Sequence, residues 1–419
     1  MNPDQKGESL SHGVSSTELI HHDYKAPMGF ESPQTPVYKA SSVIFPSVSQ
    51  MQTRNWEDRS AYTYGLHGTP TTFTLESKLA LLEGGEQCLL LPSGLAALAA
   101  VNAALLSSGD EVLVPDNAYG PLLSMLLGQF KKWGIQSTRY NPLDSEDLSH
   151  KIKDNTCLVW LEAAGSVTLE FPDLLGLIRV CQDRGVTTAL DNTWGAGLSF
   201  KPFELLHSSH SPTGITGVDI SVHALTKYPS GGADLLMGSV ITRDKVLAKR
   251  LSKYHEQFGL GVGANDVESV LKGLQSLVLR YDAQDQAARA LARFLQGEPS
   301  VAQVLHPALS GSPGHEHWRE VTCTPLRPEG RAAGIFSVIF RPSNDLEAIY
   351  AFCERLKLFK LAYSWGGPMS LVMPYDLGSM RKGTMAHLEP GHLVRFCIGL
   401  ESVEDLQADL ARSMSGLSA

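Results

Sequence analysis

Between residues 111 and 242 the chain repeats one pattern: a short, continuously apolar run, then a longer segment with apolar residues at helical spacing. The runs EVLVP (111–115), CLVWLEA (157–163) and VTTALDNT (186–193) read as buried strands. The stretches 119–133, closed by Gly134, and PDLLGLIRVCQDRG (172–185) read as helices. A strand buried on both faces needs helices above and below it, and parallel neighbours need a crossover between them. The alternation therefore predicts an α/β fold on a mostly parallel sheet with right-handed crossovers. Further helices are expected at 73–83 and 94–106, and further strands at 218–223 and 238–242.

The rest of the chain divides around this block. Residues 1–65, rich in Ser, Pro, Gln and Thr and without a sustained helical period, read as an extended N-terminal arm. A large α/β domain is expected over 66–265 and a smaller α+β domain over 266–419. The smaller domain opens on the amphipathic stretch ESVLKGLQSLVLRYDAQDQAARALARFLQ, followed by strands at 335–340 and 393–398 and helices near 345–358 and 402–414. At 419 residues the chain exceeds the size at which one core stops growing, which fits two domains.

Composition removes several function classes. A net charge of −9 without a basic stripe argues against nucleic acid as partner. Six scattered cysteines with no CxxC pair read as reduced core residues. The N-terminus is polar and no uncharged run reaches membrane-spanning length, so a cytoplasmic protein with no membrane contact is expected. His21-His22 and His315-Glu316-His317 lack the HExxH spacing that puts two histidines on one helix face, so no metal site is expected. No GxGxxG follows the first strand, which removes a nicotinamide-dependent dehydrogenase.

Lys227 stands in VDISVHALTKYPSGGADLLMGSVI, directly after an apolar run and before Tyr-Pro-Ser-Gly-Gly. Ligands of open α/β sheets bind beyond the carboxyl ends of strands, and Asp191 and Lys227 both fall at or just past such ends. A lysine held there and partly desolvated loses its proton more readily and can attack a carbonyl. Most lysines are plain surface charges. The weight rests on its company: DNTW at 191–194, PSGLAA at 92–97 and DNAYGP at 116–121.

Together these strings meet what pyridoxal 5'-phosphate asks of a protein: an amine, a carboxylate for the ring nitrogen, a phosphate cup and a flat surface for the ring. Asp191 is the candidate carboxylate, although an aspartate at this position also suits a turn. Ser93-Gly94 opens an Ala- and Leu-rich helix whose first backbone N–H groups suit a phosphate, and Thr226 offers a hydroxyl to the same group. Tyr119, at the start of a helix, is the candidate for stacking on the ring.

The strings PSGLAAL, DNAYGP, LDNTWGAG, LTKY, GHEHW, YSWGGP and VRFCIGLE, in that order, resemble the Cys/Met-metabolism group of fold-type I pyridoxal-phosphate enzymes. The resemblance covers about residues 60–415, and within the group it looks most like the bacterial cystathionine β-lyases. Ser364-Trp365-Gly366-Gly367 is similar to the β-lyase form, where γ-lyases and γ-synthases tend to carry Ser-Leu-Gly-Gly. Ser166 likewise stands where those relatives usually place an asparagine.

The resemblance implies a fold-type I large domain with a smaller α+β domain, and pyridoxal phosphate held on Lys227. It implies that Asp191 pairs with the ring nitrogen, that Tyr119 stacks on the ring, and that Gly94, Leu95 and Thr226 contact the phosphate. Arg395 would grip the substrate α-carboxylate as a fork, while Ser364 and Trp365 line the substrate pocket. Lys227, freed by the substrate amine and assisted by Tyr119, would remove the α-proton before the β-thiolate leaves. The implied activity is a carbon–sulfur β-lyase converting L-cystathionine to homocysteine, pyruvate and ammonia, as in methionine biosynthesis and transsulfuration. Relatives acting on cysteine, cystine or methionine would use the same residues. The resemblance also implies a homotetramer, a dimer of dimers, in which Tyr64 reaches the cofactor of a neighbouring subunit.

One position departs from the group. Its Tyr-x-Arg, whose arginine meets the phosphate, is here Tyr64-Gly65-Leu66, so a fixed cation is lost. His67, Arg54 and Arg59 are the nearby candidates to replace it, with Lys227 and the phosphate cup expected to retain the cofactor. That loss is the one feature favouring a non-catalytic, regulatory use of the fold. Lys227, Asp191, Tyr119 and Arg395 argue for turnover.

Overall fold

The computed structural model describes residues 16–22, 25, 27–29, 32–55, 61–205, 217–381 and 385–419. Seven strands make the large sheet: β1 (Gln87–Leu91), β2 (Glu111–Pro115), β3 (Gln136–Tyr140), β4 (Thr156–Glu162), β5 (Thr187–Asp191), β6 (Ile220–Ala224) and β7 (Gly238–Thr242). Their order across the sheet is β1-β7-β6-β5-β4-β2-β3. Strands β2 to β6 run parallel, as the alternation requires. β7 runs antiparallel to both β6 and β1. The cause is local: the connection 225–237 contains a three-residue turn, Tyr228–Ser230, in place of a crossover helix, so the chain doubles back. This connection carries Lys227.

The pleat divides the sheet residues between two cores. Val159, Leu161 and Leu190 pack into one, and Leu158, Trp160 and Ala189 into the other. Helices Pro70–Glu83, Gly94–Leu105 and Leu174–Arg184 occupy the expected stretches. The expected 119–133 helix starts at Gly120 and changes at Leu126–Phe130 into a π turn. β1 and β3 were not anticipated. QCLLL is too short for its period to be read, and QSTRY is a polar edge strand.

The smaller sheet has the order β10-β11-β12-β9-β8, from β8 (Val301–Leu305), β9 (Ile335–Phe340), β10 (Lys360–Leu361), β11 (Leu371–Tyr375) and β12 (His392–Cys397). Central β12 is antiparallel to β9 and β11, with Arg395 opposite Ser337 and Met373. The long amphipathic stretch is two helices, Ala264–Leu274 and Leu277–Gln296. Arg280, just past the break, donates to the carbonyls of Gly273 (2.7 Å) and Tyr228 (2.8 Å), bracing the turn beside Lys227.

The arm is less extended than its composition predicts. Short helices form at Ser16–Ile20 and Val48–Gln52. Leu19 is buried, and Lys78 Nζ donates to the carbonyls of Glu18, Leu19 and His21. Among the described residues no helix is long and apolar enough to cross a membrane.

Candidate active site

A cavity of about 530 Å³ opens beyond the carboxyl ends of β2, β4, β5 and β6 and is closed on another side by residues 363–365, Tyr375, Met380 and Arg395. Gly94, Leu95, Tyr119, Asp191, Thr226, Lys227, Ser364, Trp365 and Arg395 all line it. These positions are far apart in sequence. They converge because parallel strands end at one edge of the sheet.

Lys227 follows the end of β6, with its neighbour Tyr228 fully buried. Tyr228 packs edge-on against Tyr281 (4.8 Å between centroids) and Trp365 (5.5 Å), and its hydroxyl accepts the Gly334 N–H at 2.7 Å. Anchored in this way, the chain presents the Lys227 amine to Ser364 Oγ at 2.7 Å, 5.5 Å from the Trp365 ring centroid. Burial, and then the charge of Arg395, lower the amine to about 8. It is therefore partly neutral near physiological pH, as a nucleophile and base must be.

Asp191 is the last residue of β5. Its Oδ1 accepts the Thr193 backbone N–H (3.0 Å) and hydroxyl (2.6 Å), and Thr193 Oγ1 accepts the Ala224 N–H, tying the ends of β5 and β6 together. Both of these bonds fall on Oδ1, leaving Oδ2 for a partner in the cavity. Burial raises the Asp191 carboxyl, while the Thr193 bonds favour its anion. Tyr119 caps the helix Gly120–Met125, and its backbone N–H donates to Glu162 Oε2 at 2.7 Å. Its phenol is raised by burial first and then by Asp191 and Glu162.

The cup at Gly94 fits a phosphate for a steric reason. A Cβ there would meet the Ala224 Cβ at 2.5 Å, so only glycine lets the first helical turn lie on the end of β6, beside Thr226. Ser93 caps the helix, its Oγ accepting the Ala96 N–H at 3.0 Å, which leaves the earlier N–H groups for an anion. Amine, carboxylate with a free oxygen, helix N-terminus and tyrosine together match what pyridoxal phosphate requires.

Arg395 lies on β12, its guanidinium 5.1 Å from the Tyr375 ring centroid. Nη2 donates to the Ser364 carbonyl at 3.2 Å, while the buried Nε makes no hydrogen bond, so part of the fork is left for a carboxylate. Ser364 reaches this position with φ at 81°, a left-handed conformation held by two bonds to its carbonyl, from Arg395 and from Cys397 Sγ (3.4 Å).

Tyr64 does not line the cavity of its own chain. It bridges to Ser42, and its hydroxyl accepts a hydrogen bond from Ser41 Oγ at 3.2 Å. Leu66 lies near Gly261, and His67 Nδ1 is 3.0 Å from Thr63 Oγ1. Arg54 bonds the Met51 carbonyl, and Arg59 lies outside the described residues. Among the lining residues that the sequence reading did not single out are Glu162 and Tyr375. Glu162 ends an expected strand, and a carboxylate at a strand end beside Asp191 was the available signal. Tyr375 had none.

Residues 16–415 match the model of the Cys/Met metabolism PLP-dependent enzymes. The chain is 34% identical to a cystathionine β-lyase of Bordetella avium, over 94% of this chain and 96% of that one. It is 31% identical to an L-alanine/L-glutamate racemase of Wolbachia pipientis, over 94% of each chain. Its fold superposes on the crystal structure of metB from Corynebacterium glutamicum with a TM-score of 0.82 and 28% identity, covering 95% and 97% of the two chains. The protein belongs to the Cys/Met metabolism family of fold-type I enzymes, whose cofactor is pyridoxal phosphate.

Proposed function

We propose that the protein is a carbon–sulfur β-lyase that cleaves L-cystathionine to homocysteine, pyruvate and ammonia. The observation that carries this reading is the Lys227 amine, lowered to about 8, bonded to Ser364 and lying 5.5 Å from Trp365, with Arg395 in the same cavity. The Bordetella avium relative's name supports the same choice.

Pyridoxal phosphate, when bound, supplies the electron sink that weakens the bonds at the substrate α-carbon. Asp191 would pair with the ring nitrogen, and Gly94, Leu95 and Thr226 would hold the phosphate. Arg395 would receive the α-carboxylate and fix which α-bond faces the lysine. Lys227 takes the α-proton, Ser364 orients its amine, and Tyr119 would stack on the ring. The β-carbon–sulfur bond then breaks with its electron pair on sulfur, and hydrolysis of the remaining fragment gives pyruvate and ammonia. We place the enzyme in the cytoplasm as a homotetramer in which Tyr64 reaches a neighbouring site.

A product assay across L-cystathionine, cysteine, cystine, methionine and alanine tests this. Pyruvate release should be fastest from cystathionine. If methionine gives methanethiol and 2-oxobutyrate faster, the enzyme is a γ-lyase; if alanine racemises faster than any thioether is cleaved, the activity is that of the Wolbachia relative's name.

A further inference from the structure

Glu162 ends β4 directly opposite Asp191 at the end of β5. Register partners on parallel strands project to the same face, with strands about 4.8 Å apart, so two carboxyl groups share one cavity. Two carboxyls that close disfavour double ionisation.

Their surroundings are unequal. Asp191 accepts two hydrogen bonds from Thr193, at 3.0 and 2.6 Å, which favour its anion. Glu162 accepts one, from the Tyr119 amide at 2.7 Å. Arg381, whose charge reaches Glu162, is bound to Glu170 at 3.0 and 3.2 Å. The Tyr140 hydroxyl is committed to the Trp160 carbonyl at 2.8 Å, and Lys227 and Arg395 interact with Ser364. Burial first, and the Asp191 charge second, push the Glu162 carboxyl well above the ordinary range. Tyr119 has no side-chain cap of its own helix; its backbone is tied to the end of β4 by the Glu162 bond, and both residues line the cavity.

We propose that Glu162 is a positioning residue acting as a neutral carboxylic acid: it holds Tyr119 through the backbone amide and, by carrying the proton of the pair, leaves the negative charge on Asp191. This rests on the reading that Asp191 pairs with the cofactor ring nitrogen.

The test is a pH titration of the bound cofactor's absorption band in wild-type holoenzyme and in Glu162→Gln, Glu162→Asp and Glu162→Ala, together with kcat on the best thioether substrate. Glutamine keeps the acceptor for Tyr119 and carries no charge. E162Q should therefore hold the spectral midpoint within about 0.2 pH unit and kcat within about threefold of wild type. E162A, and E162D with its acid one methylene short of the amide, should lose about tenfold or more in kcat. A midpoint lowered by about half a unit or more in E162Q would mean that an anion had been removed, and it overturns the neutral acid. Equal kcat in E162Q, E162D and E162A overturns the positioning role. If E162A does not fold, E162D alone decides that arm. Asp191→Asn checks the underlying reading separately: retained cofactor with an unaltered band overturns the ring-nitrogen assignment whatever Glu162 does, and the spectral arm requires no lyase activity.

Discussion

Lys227 Nζ donates a hydrogen bond to Ser364 Oγ at 2.7 Å, joining residues 137 positions apart. The bond crosses from the edge of the large sheet to the segment preceding β11, and it aims the amine. Ser364→Ala removes the acceptor and leaves the backbone contacts of Ser364 with Arg395 and Cys397. A fall of about tenfold in kcat/KM, carried mainly by kcat, is expected in steady-state kinetics, the size of one hydrogen bond in a partly dry site.

Arg395→Lys keeps the charge and loses the fork. A point charge on a flexible stem cannot give two parallel bonds to a carboxylate, nor stack as a guanidinium does on Tyr375. KM should rise about tenfold or more. Inhibition by simple carboxylates should weaken in parallel, and unchanged carboxylate inhibition would contradict the assignment.

The amine of Lys227 should titrate near pH 8 in cofactor-free protein. The sign follows from its lowered value: the amine is protonated below about 8 and neutral above it, whereas an unfolded lysine stays charged to roughly 10.4. Acylation of Lys227 by a small anhydride, followed by peptide mass spectrometry, should show a midpoint near 8. A midpoint above 10 would remove the basis for Lys227 as the proton acceptor.

Glu170 is buried in contact with Arg381, His387, Thr168 and Asn117. Burial opposes its ionisation, but the His387 bond and the Arg381 charge outweigh burial and hold its carboxyl at about 2. A carboxyl lowered on folding contributes stability above its unfolded value near 4.5, and that contribution is lost as pH falls toward 2. Glu170→Gln should cost about 3 kcal/mol at neutral pH, read from denaturant melts, and the gap to wild type should narrow below pH 4.5. Parallel melts at every pH would refute the linkage.

Gly94→Ala forces a methyl against Ala224 and lifts the helix start off β6. The expected outcome is loss of cofactor affinity of about tenfold or more in fluorescence titrations, with far-UV circular dichroism little changed.

Much of the candidate site was legible because its residues sit at punctuation points. Asp191 ends an apolar run, Lys227 follows one, and Ser93-Gly94 opens a helix, so local pattern and strand-end chemistry locate them together. Arg395 and Ser364 were legible through resemblance alone; nothing in VRFCIG marks the arginine as facing a cavity. Glu162 was read as the end of a strand. Its importance comes from its register against Asp191, and register is a property of two strands at once.

The sequence by itself determined the layering and the parallel core of the sheet, and it singled out Lys227 as the candidate amine, because hydrophobic period and strand-end residues are local quantities. Only the tertiary structure decided that the connection between β6 and β7 doubles back and brings Lys227 to Ser364, that Arg395 keeps an unbonded nitrogen, and that Glu162 shares a cavity with Asp191. Those facts depend on which distant segments pack together, and on the burial and charge that arise when they do.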